Sequence, residues 1–307
     1  MPILEVENLS VSFKQYKAFK QVHNQVISSL NIAIEEGEIL AVVGASGSGK
    51  SLLAHAILGI LPSNARTSGT IKYEGEILTP NRQKALRGKE IAIVPQSVSF
   101  LDPLMRVGKQ VRTSVKGNKD ATEVQRKVFE RYHLRKEVET MYPFQLSGGM
   151  ARRVLLSTAM VSGAKVIIAD EPTPGLDPVV MKEALQNIRE FADNGSAVMF
   201  ITHDIESALQ IADKIAVFYA GTTVEIAPVE NFLDKGEALR HPYTKALWRA
   251  LPQNEFIPIP GSQPHPNELP KGCLFAPRCA MATPECREKN PEMRELRDGM
   301  VRCFHAN

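Results

Sequence analysis

Residues 44–51 read Gly44-Ala45-Ser46-Gly47-Ser48-Gly49-Lys50-Ser51 and fit G-x-x-x-x-G-K-[ST] at every fixed position. Glycines at this spacing let successive backbone N–H groups turn toward one anion, and a helix starting there adds positive potential. Lys50 can reach the β- and γ-phosphates of a nucleotide, and Ser51 can offer its hydroxyl to Mg²⁺. A Gly/Ser-rich turn that merely contains a lysine is the bland alternative. It is disfavoured by the setting, with an apolar run before the loop and helical spacing after it. A second apolar run ends in Asp170-Glu171. There Asp170 can approach Mg²⁺ directly or through water, and Glu171 is placed to polarise an attacking water. Two acidic residues at a strand end are commonplace on their own; the phosphate loop gives them a catalytic meaning.

The elements that must position these groups are visible in outline. Residues 3–13 and 26–34 have partial alternation and suggest strands, and residues 39–43 form a continuous apolar run suited to a strand buried on both faces. Residues 50–60 have helical spacing that stops at Gly59 and Leu61-Pro62. Short strands are expected at 70–73 and 91–94 and a helical region from about 104 to 162. Strands follow at 166–169, 197–202 and 214–219, with helices at 178–192 and 205–213 between them. Such alternation predicts an α/β fold with a mainly parallel sheet.

Composition bounds the rest. The chain has 307 residues, 43% apolar and 23% charged, enough for one large α/β domain with a smaller appendage. A net charge of +3 gives no reason to expect a nucleic-acid partner. No apolar run approaches membrane-helix length, and residues 1–7 lack a secretory pattern, so any membrane role is expected to come through partners. Beyond about residue 235, ten of the 20 prolines accumulate, and that tail is expected to lack regular elements and to need another source of order. All four cysteines lie there: Cys273, Cys279, Cys286 and Cys303. In a cytosolic chain such a cluster points to metal or redox chemistry, with four unligated thiols as the plain alternative. Four soft ligands suit a [4Fe–4S] cluster or tetrahedral Zn²⁺, and the lack of short C-x₂-C pairs favours the former.

Several separated segments together resemble the ATP-binding subunits of ABC transporters. Leu146-Ser147-Gly148-Gly149-Met150 is similar to the signature LSGGQ, Gln96 to the Q-loop glutamine and His203 to the switch histidine. Thr173-Pro174-Gly175-Leu176-Asp177 occupies the D-loop place, and Phe13, with Tyr16 as second candidate, lies where that family stacks adenine. The likeness spans about residues 3–230. It implies a P-loop NTPase core with an antiparallel β subdomain and a helical subdomain at about 97–162, all within residues 1–235, and a Pro/Cys-rich C-terminal extension at 236–307. It also implies ATP and Mg²⁺ as cofactors, with Lys50, Gln96, Glu171 and His203 catalytic. Ser51, Gln96 and Asp170 would serve the magnesium. Phe13, Gly44, Ser46, Gly47, Ser48, Gly49, Asp177 and the Ser147-Gly148-Gly149 turn would serve the nucleotide, that turn reaching ATP held by the opposite subunit. Arg152 stands where relatives carry glutamine, and Pro174-Gly175 replaces the usual small or hydroxyl residues.

Residues 96–103, 107–110, 241–247, 259–261 and 270–279 are similar to one branch, the dipeptide/oligopeptide/nickel importers, some members of which carry an iron–sulfur cluster. The branch implies a second ATPase subunit that is a different chain, two transmembrane permease subunits and an extracellular solute-binding protein. It places the chain peripherally on the cytoplasmic face of the cell membrane. Peptides are the expected solute, with nickel or a metal–chelator complex as the alternative. A soluble ABC ATPase outside transport fits less well, because no long heptad pattern is present.

Overall fold

The computed structural model describes residues 1–17, 20–117 and 120–307, with side chains except those of residues 16–22 and 234. Tyr16 therefore lies outside the described side chains. A four-stranded antiparallel sheet comprises β1 (Leu4–Lys17), β2 (Lys20–Ile34), β4 (Ala65–Tyr73) and β5 (Glu76–Ile77), in the order β2-β1-β4-β5. The main sheet has eight strands. Its parallel part is β3 (Ile39–Gly44), β6 (Ile91–Val94), β7 (Val166–Asp170), β8 (Ala197–Thr202) and β9 (Lys214–Tyr219), ordered β9-β3-β8-β7-β6. Antiparallel β10 (Thr222–Pro228) follows β9.

The parallel strands are apolar throughout because each feeds two cores. In β3, Ile39, Ala41 and Val43 join one buried cluster while Leu40 and Val42 join the other. In β8, Val198 and Phe200 face the first cluster, and Ala197, Met199 and Ile201 face the second. The period-two alternation of a strand thus splits one apolar run between both faces of the sheet. One face packs on the antiparallel sheet and α1 (Lys50–Leu58); the other packs on helices α3 (Val107–Thr113), α4 (Ala121–Arg131), α5 (Gly148–Ser162), α6 (Pro178–Asp193) and α7 (Ile205–Ile211). A short α2 (Pro80–Leu86), capped by Thr79 with proline at its first turn, occupies a stretch expected to hold only strands and turns. The helical region expected at 104–162 is interrupted, with 3₁₀ turns at Lys136–Thr140 and Pro143–Gln145 between α4 and α5.

The tail departs from expectation. Two helices, α8 (Pro242–Arg249) and α9 (Pro284–Glu288), and two strands, β11 (Arg294–Leu296) and β12 (Gly299–Val301), form within it. β12 pairs with β10, Glu225 opposite Val301, so the tail extends the main sheet. Proline starts both helices, at a position where its missing N–H is not needed. Leu274 and Phe275 join the main core cluster. Among the described residues, no helix is long and apolar enough to cross a membrane.

Candidate active site

Strand register collects the chemical residues at one edge. Val43 of β3 lies opposite Thr202 of β8, Asp170 of β7 opposite Ile201, and Val94 of β6 opposite Ala169. The phosphate loop, Asp170-Glu171, His203 and Gln96 all leave the C-terminal ends of adjacent parallel strands, where open α/β sheets bind ligands.

The loop opens onto α1, whose N-cap is Gly49 at φ 96, with no side-chain cap on the helix. The dihedral calls for glycine, and a Cβ there would also press on Ile27 Cγ1 at 3.1 Å. The helix N-terminus is left open to an anion. Ser48 is buried and its Oγ has no partner. Lys50 Nζ donates to Gly44 O at 2.8 Å and Ala45 O at 3.1 Å, which folds the buried ammonium over the loop. Burial pulls its pKa down, opposed by the charges of Glu171 and Asp170. An uncapped helix end, an orphaned buried hydroxyl and a cation over the loop fit a phosphate chain.

Ser51 Oγ donates to Asp170 Oδ1 at 3.1 Å, so the two expected magnesium ligands sit side by side. Burial pushes the Asp170 carboxyl up; the Ser51 hydrogen bond opposes this and the Glu171 charge adds to it. A divalent cation suits such a group, because it supplies the positive charge that burial withholds. Glu171 is buried, and its Oε2 lies 2.7 Å from His203 Nδ1, whose side chain is half exposed. The backbone of Glu171 is left-handed at φ 49, with its N–H donating to Ile201 O at 2.9 Å. Nothing in the sequence announces that conformation. Arg152, a departure in sequence, reaches from α5 to Pro172 O at 2.7 Å.

Other expected residues stand apart. Gln96 is exposed, level with the site by register. Phe13, in β1, is half-buried against the second core cluster. Ser147 caps α5, accepting from Met150 N at 3.3 Å, and a Cβ at Gly148 or Gly149 would meet nothing within 4 Å. The Ser147-Gly148-Gly149 turn therefore presents an open helix end on a different element from the phosphate loop. Asp177 caps α6, accepting from Val179 N at 3.1 Å and Val180 N at 3.2 Å. The Asp177-Pro178 pair is a helix-start signal that could have identified this cap.

The family follows from comparison. Residues 27–174 match the family described as ABC transporter, and residues 224–286 match "Oligopeptide/dipeptide transporter, C-terminal region". The oligopeptide transport ATP-binding protein OppD of Bacillus subtilis is 36% identical over 302 residues, covering 91% of this chain and 82% of that protein. OppD of Salmonella typhimurium is 36% identical over 298 residues, covering 91% and 87%. This chain belongs to the ATP-binding subunits of the ABC transporters, in the dipeptide/oligopeptide branch. As a member it is an ATPase that works with ATP and Mg²⁺. A solved ATP-binding cassette, dimeric in a post-hydrolysis state with ADP and phosphate, shares the fold, with a TM-score of 0.63 at 22% identity over 74% of this chain and 98% of that one.

The second candidate centre is the cysteine cluster. All four cysteines are free and line one small cavity, with His241 and His305 beside them. Cys273 N donates to Cys286 O at 2.8 Å, an approach that leaves no room at Gly272, whose Cβ would meet that oxygen at 2.4 Å. Burial pushes the thiols of Cys273, Cys279 and Cys303 up. Among the described residues, no group of three or more His, Cys, Asp or Glu stands where it could hold a metal ion. Neither the zinc nor the iron–sulfur expectation therefore meets a preformed site.

Proposed function

We propose that this chain is the motor subunit of a peptide importer, bound to the cytoplasmic face of the membrane through two permease subunits fed by an external solute-binding protein. The observation that carries the reading is the pair of contacts beside the phosphate loop, Ser51 with Asp170 and Glu171 with His203. Mg²⁺ bound there would neutralise charge on the β- and γ-phosphates. Lys50 holds the same phosphates by charge. Glu171 accepts a proton from the attacking water, and His203 keeps that carboxylate in line and donates toward the γ-phosphate. Gln96, placed by β6 at the same edge, senses the magnesium. Phe13 stacks adenine. Ser147, Gly148 and Gly149 close over ATP held by a second ATPase subunit, which the branch supplies as a different chain.

Peptide as solute is supported by the relatives named for it; none of those reported above is named for nickel. Contact with membrane partners is supported by apolar side chains left exposed after Gln96, with Phe100 55%, Leu104 88% and Phe144 76% exposed. The division into a nucleotide-binding unit at 1–235, with its helical part at about 97–162, and an extension at 236–307 belongs to the same proposal. So does a multi-iron cluster on Cys273, Cys279, Cys286 and Cys303. Its support is the one small cavity that all four cysteines line, and the lack of short C-x₂-C pairs is what favours it over zinc. Anaerobic purification is expected to yield iron, inorganic sulfide and visible absorption; colourless, iron-free protein overturns the cluster.

The motor reading is tested with Glu171→Gln in the complete transporter. Hydrolysis should fall at least ~100-fold while ATP binding persists and the two ATPase subunits stay closed, as expected on losing a general base. Near-normal turnover would remove Glu171 from that role.

A further inference from the structure

The turn that carries Glu171 is tethered from the signature helix. Glu171 is a non-glycine residue at φ 49, a conformation that persists only where the surroundings hold it. Its N–H is fixed by Ile201 O at 2.9 Å in β8, and its carboxylate by His203 at 2.7 Å. The carbonyl side of the turn is fixed by one side chain. Arg152 Nη1 donates to Pro172 O at 2.7 Å and, at the long distance of 3.5 Å, to Glu171 O. Arg152 belongs to α5, the helix that starts at Gly148 under the Ser147 cap. One terminal nitrogen carries two hydrogens and a share of the positive charge, so it can serve two successive carbonyls at once.

We propose that Arg152 is a positioning residue for hydrolysis, tying the signature helix to the Glu171 turn so that a shift of α5 changes the aim of the carboxylate. The proposal rests on the reading of Glu171 as the group that activates water. Arg152 touches backbone oxygens outside the phosphate loop, so its loss should alter turnover rather than nucleotide affinity. The link is internal to one chain. It carries the state of the Ser147-Gly148-Gly149 turn, which serves one nucleotide, to the carboxylate that serves the other.

The test measures steady-state ATPase activity of the complete transporter, with Arg152→Ala and Arg152→Lys built alone and Arg152→Ala also combined with Glu171→Gln. Arg152→Ala should lower kcat about tenfold with the KM for ATP within about twofold, as for an interaction made mainly in the transition state. Arg152→Lys should recover most of the loss, since it restores charge and reach. In the Glu171→Gln background, Arg152→Ala should leave the residual rate unchanged, because the group it aims is already gone. Unchanged kcat, additive losses in the double variant, or a matched fall in ATP affinity and melting temperature would each overturn the proposal. Failure of the underlying reading looks different: Glu171→Gln would itself retain near-normal turnover with Arg152 intact.

Discussion

Buried charges are handled in opposite ways at the nucleotide edge and under the cysteine-bearing tail. At the edge, Lys50, Asp170 and Glu171 lie together with loop carbonyls, one hydroxyl and one histidine as their hydrogen-bond partners. Under the tail, Glu225 is fully buried and accepts from Arg240 N at 2.9 Å, Arg240 Nη1 at 3.3 Å and His241 N at 2.8 Å. Buried Arg302 donates to Thr223 O, Pro291 O and Ser29 O, joining tail, β10 and β2. A carboxylate and a guanidinium that satisfy one another, as Glu225 and Arg240 do, hold a fold together. Charges gathered without full mutual pairing form a place for a highly charged ligand. Orphaned hydroxyls do not make the distinction, for they occur in both regions, at Ser48 and at Thr244.

The sharpest way to break this comparison is to remove one charge from each side. Lys50→Ala should cut ATP turnover by about 10²–10³-fold, the cost of losing one preorganised charge at a phosphoryl site. Its unfolding free energy should stay within about 1 kcal/mol of the parent, because the ammonium's hydrogen bonds are only to carbonyls of its own loop. Glu225→Ala should do the reverse. It leaves Asp298 as the remaining carboxylate partner of the buried Arg240, strips the buried N–H groups of Arg240 and His241 of their acceptor, and should cost about 3–5 kcal/mol in urea unfolding. Replacing Glu225 and Arg240 together by leucine should cost less than the sum of the two single changes. If Lys50→Ala unfolds the protein, or Glu225→Ala leaves its stability untouched, the division between ligand charges and structural charges is wrong.

A finer contrast concerns hydroxyls. Ser48→Ala removes an orphaned Oγ from the phosphate loop and should weaken ATP binding several-fold, about 1 kcal/mol, in an equilibrium titration. Tyr132 is also buried and its hydroxyl has no partner among the described residues, but it belongs to the core on the helical face, not to the phosphate loop. Tyr132→Phe should leave ATP binding alone and raise stability by up to ~1 kcal/mol. Burial pushes the Tyr132 phenol up to about 12, so the folded chain keeps its proton where the unfolded chain, titrating near 10, releases it. That contribution is complete below pH 10 and is lost as pH rises toward 12, at up to about 1.4 kcal/mol per unit. The phenylalanine variant should therefore show a shallower alkaline loss in unfolding titrations.

The legible parts of the molecule are those whose chemistry is contiguous. The phosphate loop is eight adjacent residues, and Asp170-Glu171 and His203 sit at the ends of apolar runs that read as buried strands. The parts that the sequence does not display depend on distant partners. The strands β11 and β12 are three residues each, too short for periodicity, and exist because β10 offers an edge. The Glu225–Arg240 pair spans the β10-to-tail connection, and neither residue is marked by its neighbours. Arg152 was visible only as an unusual residue after the signature; its target, the left-handed turn at Glu171, is a backbone fact that no side-chain pattern encodes.

Asp177 gives the smallest effect and the closest discrimination, because its two roles predict different variants. As the α6 cap it accepts from Val179 N and Val180 N, and Asp177→Ala should cost about 1 kcal/mol of stability. Asparagine caps a helix about as well as aspartate, so Asp177→Asn should restore that loss. ATP affinity in both variants should stay within about twofold of the parent if the carboxylate is occupied with the helix. If its charge instead faces the nucleotide assembly, Asp177→Asn keeps the stability yet changes ATP affinity or turnover about tenfold, and the residue returns to the ligand side of the comparison. Urea unfolding and ATP titration of the two variants separate the cases, since the amide preserves the cap and removes only the charge.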